Sequence, residues 1–162
     1  MSRLDSFIAR LSAQRELLNW AIDWVRDRPG PVLEIGLGNG RTYDHLRAGL
    51  GAERVYAFDR TVNANPLSIP PANRLMLGEF GDSLPAFAAR HPGGAAMVHS
   101  DVGLGDPEAN ARQVVQMSEW VPPLLAKGAL LLSDQKLTHP DLLSQPVPVS
   151  IPPERYFVYL KA

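Results

Sequence analysis

Five short apolar runs, spaced by helix-length segments, constrain this chain more than any other feature: Val32–Ile35, Val55–Phe58, Leu75–Leu77, Ala95–Val98 and Ala129–Leu132. Each is short and bounded by turn residues, so each reads as a buried strand. The segments Arg41–Leu50, Ser83–Arg90 and Glu108–Leu125 read as helices. The last must end or kink at Pro122-Pro123, because proline lacks the amide that an interior helical turn needs. Strands alternating with helices imply right-handed crossovers and a parallel sheet covered on both faces. The expected class is α/β, a doubly wound sheet with helices on both sides.

The two ends depart from that alternation. From Leu4 to Val25 the apolar residues recur at helical spacing, as in Leu4, Phe7, Ile8 and Leu11 and again in Leu18, Ala21, Ile22 and Val25. That pattern is an amphipathic helix, stopped by Pro29-Gly30-Pro31. At the other end, Val147–Ile151 and Tyr156–Leu160 lie too close for a helix between them and read as an antiparallel hairpin. The 162 residues suit one domain, with the N-terminal helix inside 1–28 and the α/β core over 31–162. No repeat or linker is visible.

The segment V-L-E-I-G-L-G-N-G-R places three glycines, Gly36, Gly38 and Gly40, between a buried strand and a helix. Glycine permits positive φ in a tight turn and lets backbone approach a ligand that a Cβ would exclude. The loop sits at the carboxyl end of the first strand, where open α/β sheets bind ligands. A dinucleotide fingerprint would need a third glycine where Arg41 stands, and no Gly-Lys-Ser/Thr of a phosphate loop follows. The second landmark, V-Y-A-F-D-R, ends a strand at Asp59, roughly 20 residues beyond the loop, where an acidic side chain accepts from ribose hydroxyls. The third, L-M-L-G-E-F, ends at Gly78-Glu79, with Phe80 placed to lie against a purine ring.

With these residues the chain resembles class I S-adenosylmethionine-dependent methyltransferases, whose E/D-x-G-x-G-x-G motif is met by Glu34, Gly36, Gly38 and Gly40. The resemblance runs from about Val32 to the C-terminus. It implies a Rossmann-like sheet of order 3-2-1-4-5-7-6 with the last strand antiparallel, and S-adenosyl-L-methionine as cofactor. The implied contacts are Glu34, Gly36, Leu37, Gly38, Asn39 and Gly40 at the loop, with Asp59 and Arg60 after the second strand. Gly78, Glu79 and Phe80 follow the third strand, and Ser100 ends the fourth.

Methyl transfer is an in-line displacement, so a protein mainly aligns the nucleophile and, for a hydroxyl acceptor, removes a proton. In the family, substrate groups follow the fourth and fifth strands, here H-S-D-V-G and L-L-L-S-D-Q. Asp101 and His99 are the candidate bases, with Asp134 nearby; His99 has the alternative of pointing into the core. A divalent cation on Asp101, Asp134 and Gln135 would resemble small catechol-type O-methyltransferases, but those usually carry Asp-Asn where Asp134-Gln135 stands. A metal is not favoured. The Asn/Asp-Pro-Pro-Tyr/Phe signature of enzymes acting on amide or adenine amino groups is absent after the fourth strand, where Ser100-Asp101-Val102-Gly103 stands.

Composition narrows the rest. A net charge of −1 offers no attraction for a polyanion, so no nucleic-acid partner is expected. The absence of cysteine removes disulfides, thiol catalysis and thiolate zinc sites. Charges recur through M-S-R-L-D-S-F-I-A-R, so no signal peptide or membrane span is expected and the location is cytoplasmic. No long insertion supplies a lid. Acceptor binding then falls to the N-terminal helix, short loops or a second subunit, and Trp20 and Trp24 either cover the sheet or face a homo-oligomer interface. The expected function is methylation of an unidentified small molecule on oxygen or nitrogen. The alternatives are a non-catalytic module sensing S-adenosylmethionine or S-adenosylhomocysteine and, weakened by Arg41, a NAD-dependent oxidoreductase.

Overall fold

The computed structural model describes residues 1–162 and begins with helix α1, Arg3–Val25. Ser2 Oγ accepts from the Asp5 amide at 3.0 Å and the Asp5 carboxylate accepts from the Ser2 amide at 2.9 Å. That reciprocal cap satisfies two of the donors a helix start leaves free. At the other end the Arg54 guanidinium donates to the carbonyls of Val25 and Arg26, each at 3.1 Å, groups with no partner inside the helix. Only the second half of α1 is packed, through Leu17, Leu18, Ala21, Ile22 and Val25, whereas Leu4 is 66% and Ile8 54% exposed.

The alternation follows: β1 Val32–Ile35, α2 Arg41–Leu50, β2 Val55–Asp59, β3 Leu75–Leu77, α3 Phe80–Arg90, β4 Ala95–Ser100, α4 Pro107–Trp120, β5 Leu125–Ser133, β6 Leu142–Gln145 and β7 Phe157–Lys161. They form one seven-stranded sheet of order β3-β2-β1-β4-β5-β7-β6, as the resemblance implied. The first five strands are parallel, and β7 runs antiparallel to both β5 and β6. Each face carries its own core. Val32, Met97, Leu130 and Leu132 pack with α1 and α2 on one side. Leu33, Ile35, Val98 and Leu131 pack with α3 and α4 on the other. Strands covered on both faces explain the unbroken apolar runs. Trp20 and Trp24 pack, partly buried, against the first of these cores. No helix is long and apolar enough to cross a membrane.

Three boundaries lie three or more residues from the sequence reading. Helix α3 begins at Phe80 rather than Ser83, directly after the Gly78-Glu79 turn. Helix α4 stops at Trp120, Pro122–Leu124 form a single 3₁₀ turn, and β5 starts at Leu125 rather than Ala129. The extra length of β5 includes a register shift opposite Ala95–Met97, with Gly128 in the left-handed region at φ 76°.

The terminal hairpin keeps the expected Tyr156–Leu160 strand, shifted by one residue to β7, but pairs it with another partner. Its outer strand is Leu142–Gln145, and Val147–Ile151 is not a strand. Pro148 interrupts that stretch, Pro146 and the Pro152-Pro153 pair flank it, and proline has no amide to give a ladder. Val147, Val149 and Ile151 instead pack, partly buried, against the α1–α2 core.

The buried Tyr159 hydroxyl on β7 closes the β5–β6 connection, accepting from the Leu137 amide at 3.0 Å and donating to the Leu137 carbonyl at 3.1 Å. Tyr159→Phe leaves both Leu137 groups unpaired in a buried place. It should lower stability by roughly 1–3 kcal/mol, read as a lower urea midpoint at unchanged slope.

Candidate functional site

The carboxyl ends of β1, β2 and β4 meet at the glycine loop, and its three glycines do different work. Gly36, at φ 91°, sits where a Cβ would come within 2.6 Å of the Asp101 carbonyl oxygen. Its amide donates to the Phe58 carbonyl at 2.9 Å, and the Asp101 amide donates to Ile35 at 3.1 Å. Gly40, at φ 88°, meets Ser68 in the same way. Gly38, at φ 50°, faces open space. The first two let backbone segments close on one another, and the third leaves room above the loop.

Asp59 is aimed into that loop. Its Oδ2 accepts from the Gly38 amide at 3.0 Å and its Oδ1 from the Arg60 amide at 2.7 Å. Arg60 in turn pairs with Glu79 at 3.0 Å. A cavity of about 230 Å³ opens between Gly36, Gly38, Asp59, Arg60 and Phe80, with Asp101–Leu104 and Gln113 closing its far side.

Other residues of the expected contact set lie beneath or beside this cavity. Leu37 belongs to the core, and Ser100 is buried at the end of β4. Asn39 faces solvent, and its carbonyl accepts from the Asn65 amide at 3.0 Å. Gly78, at φ 140°, makes the turn into α3.

Glu34 and His99 have no exposed surface and stand opposite one another on β1 and β4. His99 Nδ1 lies 2.9 and 3.0 Å from the two Glu34 oxygens, and Thr42 Oγ1 donates to Oε1 at 2.9 Å. Burial pushes the Glu34 carboxyl above the usual range, and the imidazole beside it offsets only part of that. Burial alone would push His99 down, but Glu34 outweighs it and the imidazole is raised. A proton is thus held between them. The other ring nitrogen, Nε2, is buried without a partner. His99 lines neither the cavity at the glycine loop nor the second one described below.

Asp101 and Asp134 come together after β4 and β5. Asp101 Oδ2 accepts from Gln14 Nε2 of α1 at 2.7 Å, and Asp134 Oδ2 accepts from the Gly103 amide at 2.8 Å. Burial, then the Asp101 carboxylate beside it, pushes the Asp134 carboxyl up to about 6. Gln135 does not join them: its Nε2 donates to Asn110 at 2.9 Å, and Asn110 clamps Leu104 through both amide and carbonyl at 2.6 Å. Asp101 is thus held by Gln14, Asp134 by backbone amides and Gln135 by Asn110. No cluster of three or more acidic, histidine or cysteine side chains is arranged to hold a metal.

A second cavity, about 350 Å³, lies on the other side of Asp101 and Gly103, walled by Arg10, Asp134, Tyr156 and the Pro152–Arg155 turn. Burial and the two aspartates raise the Tyr156 phenol, so it stays protonated. Glu154 on its lip has φ 60°, a left-handed conformation found at no other non-glycine residue. Arg10, Gln14, Arg155 and Tyr156 were not singled out from sequence. Gln14 alone left a trace, as a polar residue at a stripe position between Leu11 and Leu18.

Gly36→Ala should cost roughly 2–4 kcal/mol, from left-handed strain plus the clash with Asp101, read by chemical denaturation. In a ¹³C carboxyl titration Asp134 should titrate near 6, and Asp101→Asn should bring it down towards the ordinary range. Folding takes up a proton at Asp134 between the ordinary carboxylate range and about 6. Its contribution to stability is therefore greatest on the acid side and falls as pH rises through that window.

Comparison with known proteins follows the same lines. A family described as S-adenosyl-L-methionine methyltransferase matches residues 1–161. The chain is 39% identical to an S-adenosyl-L-methionine methyl transferase from Silicibacter pomeroyi DSS-3, with a TM-score of 0.91, covering 100% of this chain and 99% of that one. An O-methyltransferase from Bacillus cereus in complex with SAH shares the fold at 14% identity and a TM-score of 0.61, over 91% of this chain and 80% of that one. A methyltransferase from Geobacter sulfurreducens does so at 16% and 0.54, over 89% and 77%. No match was found among curated protein sequences.

Proposed function

Because the chain belongs to the S-adenosyl-L-methionine methyltransferase family, we propose that it binds this cofactor at the glycine loop and methylates a small molecule held in the adjoining cavity. The observation that carries the reading is the shared wall: Asp101 and Gly103 line both cavities. A donor on one side and an acceptor on the other would then meet across the end of β4.

The residues present fit the cofactor. Gly38 leaves open space above the loop, the Asp59 carboxylate faces the same cavity with lone pairs to spare beyond its two amides, and the Phe80 ring lines its side. Bound there, the cofactor supplies a methyl carbon activated by a positive sulfur. The protein's part is placement and proton handling. Asp59 holds ribose hydroxyls and, through the Gly38 amide, the loop itself. The Asp101–Asp134 pair lies beside the acceptor and takes its proton, a task suited to a carboxyl whose affinity for protons is raised. Gln14 holds Asp101 in place. The Glu34–His99 pair acts beneath them, fixing β1 against β4 so that the loop and Asp101 keep their separation. Transfer to oxygen or to nitrogen is compatible with this arrangement.

Calorimetry with S-adenosyl-L-methionine tests the cofactor site. Wild type should bind, and Asp59→Ala should weaken binding about tenfold or more, since charge-assisted hydrogen bonds are worth roughly 1.5–3 kcal/mol. A wild type that does not bind would overturn the reading, and a variant that binds equally well would move the cofactor away from Asp59.

A further inference from the structure

The second cavity separates its charges. Its carboxylates Asp101 and Asp134 lie at the wall shared with the glycine-loop cavity, Asp101 lining both and Asp134 bonded to Gly103 of that wall. Its cations, Arg10 and Arg155, line the second cavity alone. Tyr156 lines the same cavity and both arginines act on its phenol through their charge, and neither makes an ion pair. Arg10 comes from α1, where its guanidinium lies 5.2 Å from the centre of the Phe7 ring. Arg155 comes from the turn before β7, and Glu154 beside it adds a third carboxylate at the exposed lip. Two arginines without carboxylate partners lining one polar space offer a site for an anion, and a carboxylate fits the planar forks of their guanidinium groups.

The order of the charges selects the acceptor. A carboxylic acid presenting its own oxygen to the methyl group would bring a negative charge against Asp101 and Asp134. A simple amine would be attracted there but would leave both arginines unused, and a neutral alcohol would meet neither charge. Like charges forced together lose affinity, and complementary ones fix orientation. The geometry points to a zwitterionic acceptor of amino-acid type, its amino group at the Asp101–Asp134 wall and its carboxylate between Arg10 and Arg155. The inference rests on the methyltransferase reading and narrows it to nitrogen.

The step balances. The ammonium group of the acceptor gives one proton to the Asp101–Asp134 pair, and its nitrogen lone pair forms the new N–C bond. The S–C bond breaks with its electrons remaining on sulfur, which leaves as a neutral thioether. The nitrogen is then a methylated ammonium, and the proton on the carboxyl pair passes to solvent. The positive charge that began on sulfur ends on nitrogen beside the two carboxylates.

The test uses S-adenosyl-L-methionine with a radiolabelled methyl group and the full chain. The protein is offered the common amino acids, β-alanine and 4-aminobutyrate, with matched amines, carboxylic acids and alcohols that each lack one charge or both. S-Adenosylhomocysteine binding is followed by calorimetry in parallel, and products are identified by mass spectrometry. The expected result is label on the nitrogen of at least one zwitterion, at a kcat/KM about tenfold or more above its matched amine and acid. Arg10→Gln and Arg155→Gln should each raise KM for that zwitterion about fivefold or more, while S-adenosylhomocysteine affinity stays unchanged and reports an intact fold. Cofactor binding with label only on alcohols, acids or simple amines, or with no zwitterion labelled, would overturn the inference and leave the methyltransferase reading standing. Unchanged KM in both arginine variants would also overturn it. Absence of cofactor binding to wild type would instead remove the reading underneath.

Discussion

A carboxylate buried without partners is strongly disfavoured, and Glu34 sits in the middle of the sheet with no exposed surface. What makes it tolerable is the company it keeps: His99 on β4 faces both of its oxygens and Thr42 at the start of α2 donates to one. The three elements that flank the glycine loop are therefore tied to one side chain below it. An apolar residue in place of Glu34 would pack as well but would tie nothing. The loop above owes its shape to this floor, and Asp59 and Asp101 owe their places to the loop.

The same economy of position governs the glycines. Gly36 is where it is because the Asp101 carbonyl passes within van der Waals reach, and Gly40 because Ser68 does. The first approach draws the residues after β4 up to the end of β1, and the second brings the segment after β2 against the start of α2. Asp101 then stands between two cavities rather than in one, held from α1 by Gln14. Asp134 joins it on amides of the following loop, which Asn110 and Gln135 clamp in turn.

Much of this was legible in the sequence because it rests on local pattern. Apolar runs such as Val32–Ile35 and Ala95–Val98 are buried on both faces, so they announce strands without context. Glycines at 36, 38 and 40, followed by Asp59, announce a ligand loop because left-handed backbone and close approach leave few other choices. Proline was the less forgiving reader's trap. Val147–Ile151 has the β-branched content of a strand, and only its prolines, which remove ladder amides, send the pairing to Leu142–Gln145 instead. The start of α3 lies before Ser83 because Phe80 opens the helix directly after the Gly78-Glu79 turn, and the helix accommodates Pro85. Partners distant in sequence left the faintest marks. Gln14 meets Asp101 across 87 residues, and Arg10 shares a cavity with Arg155, relations that no periodicity records. Glu34 was read as a contact of the ligand because its motif position is visible, whereas its burial against His99 is a property of the folded sheet alone.

The two cavities draw on the chain unequally. The one at the glycine loop is lined by residues from Gly36 to Gln113, whereas the second needs Arg10 near the start of the sequence and Arg155 and Tyr156 near its end. During synthesis, which delivers the chain in order, the first has all its lining residues outside the ribosome well before the second can exist. The second cavity also depends on β7, which begins just after Tyr156 and fills an interior place between β5 and β6. A chain cut short of Arg155 could thus carry the glycine loop but not the space beside it.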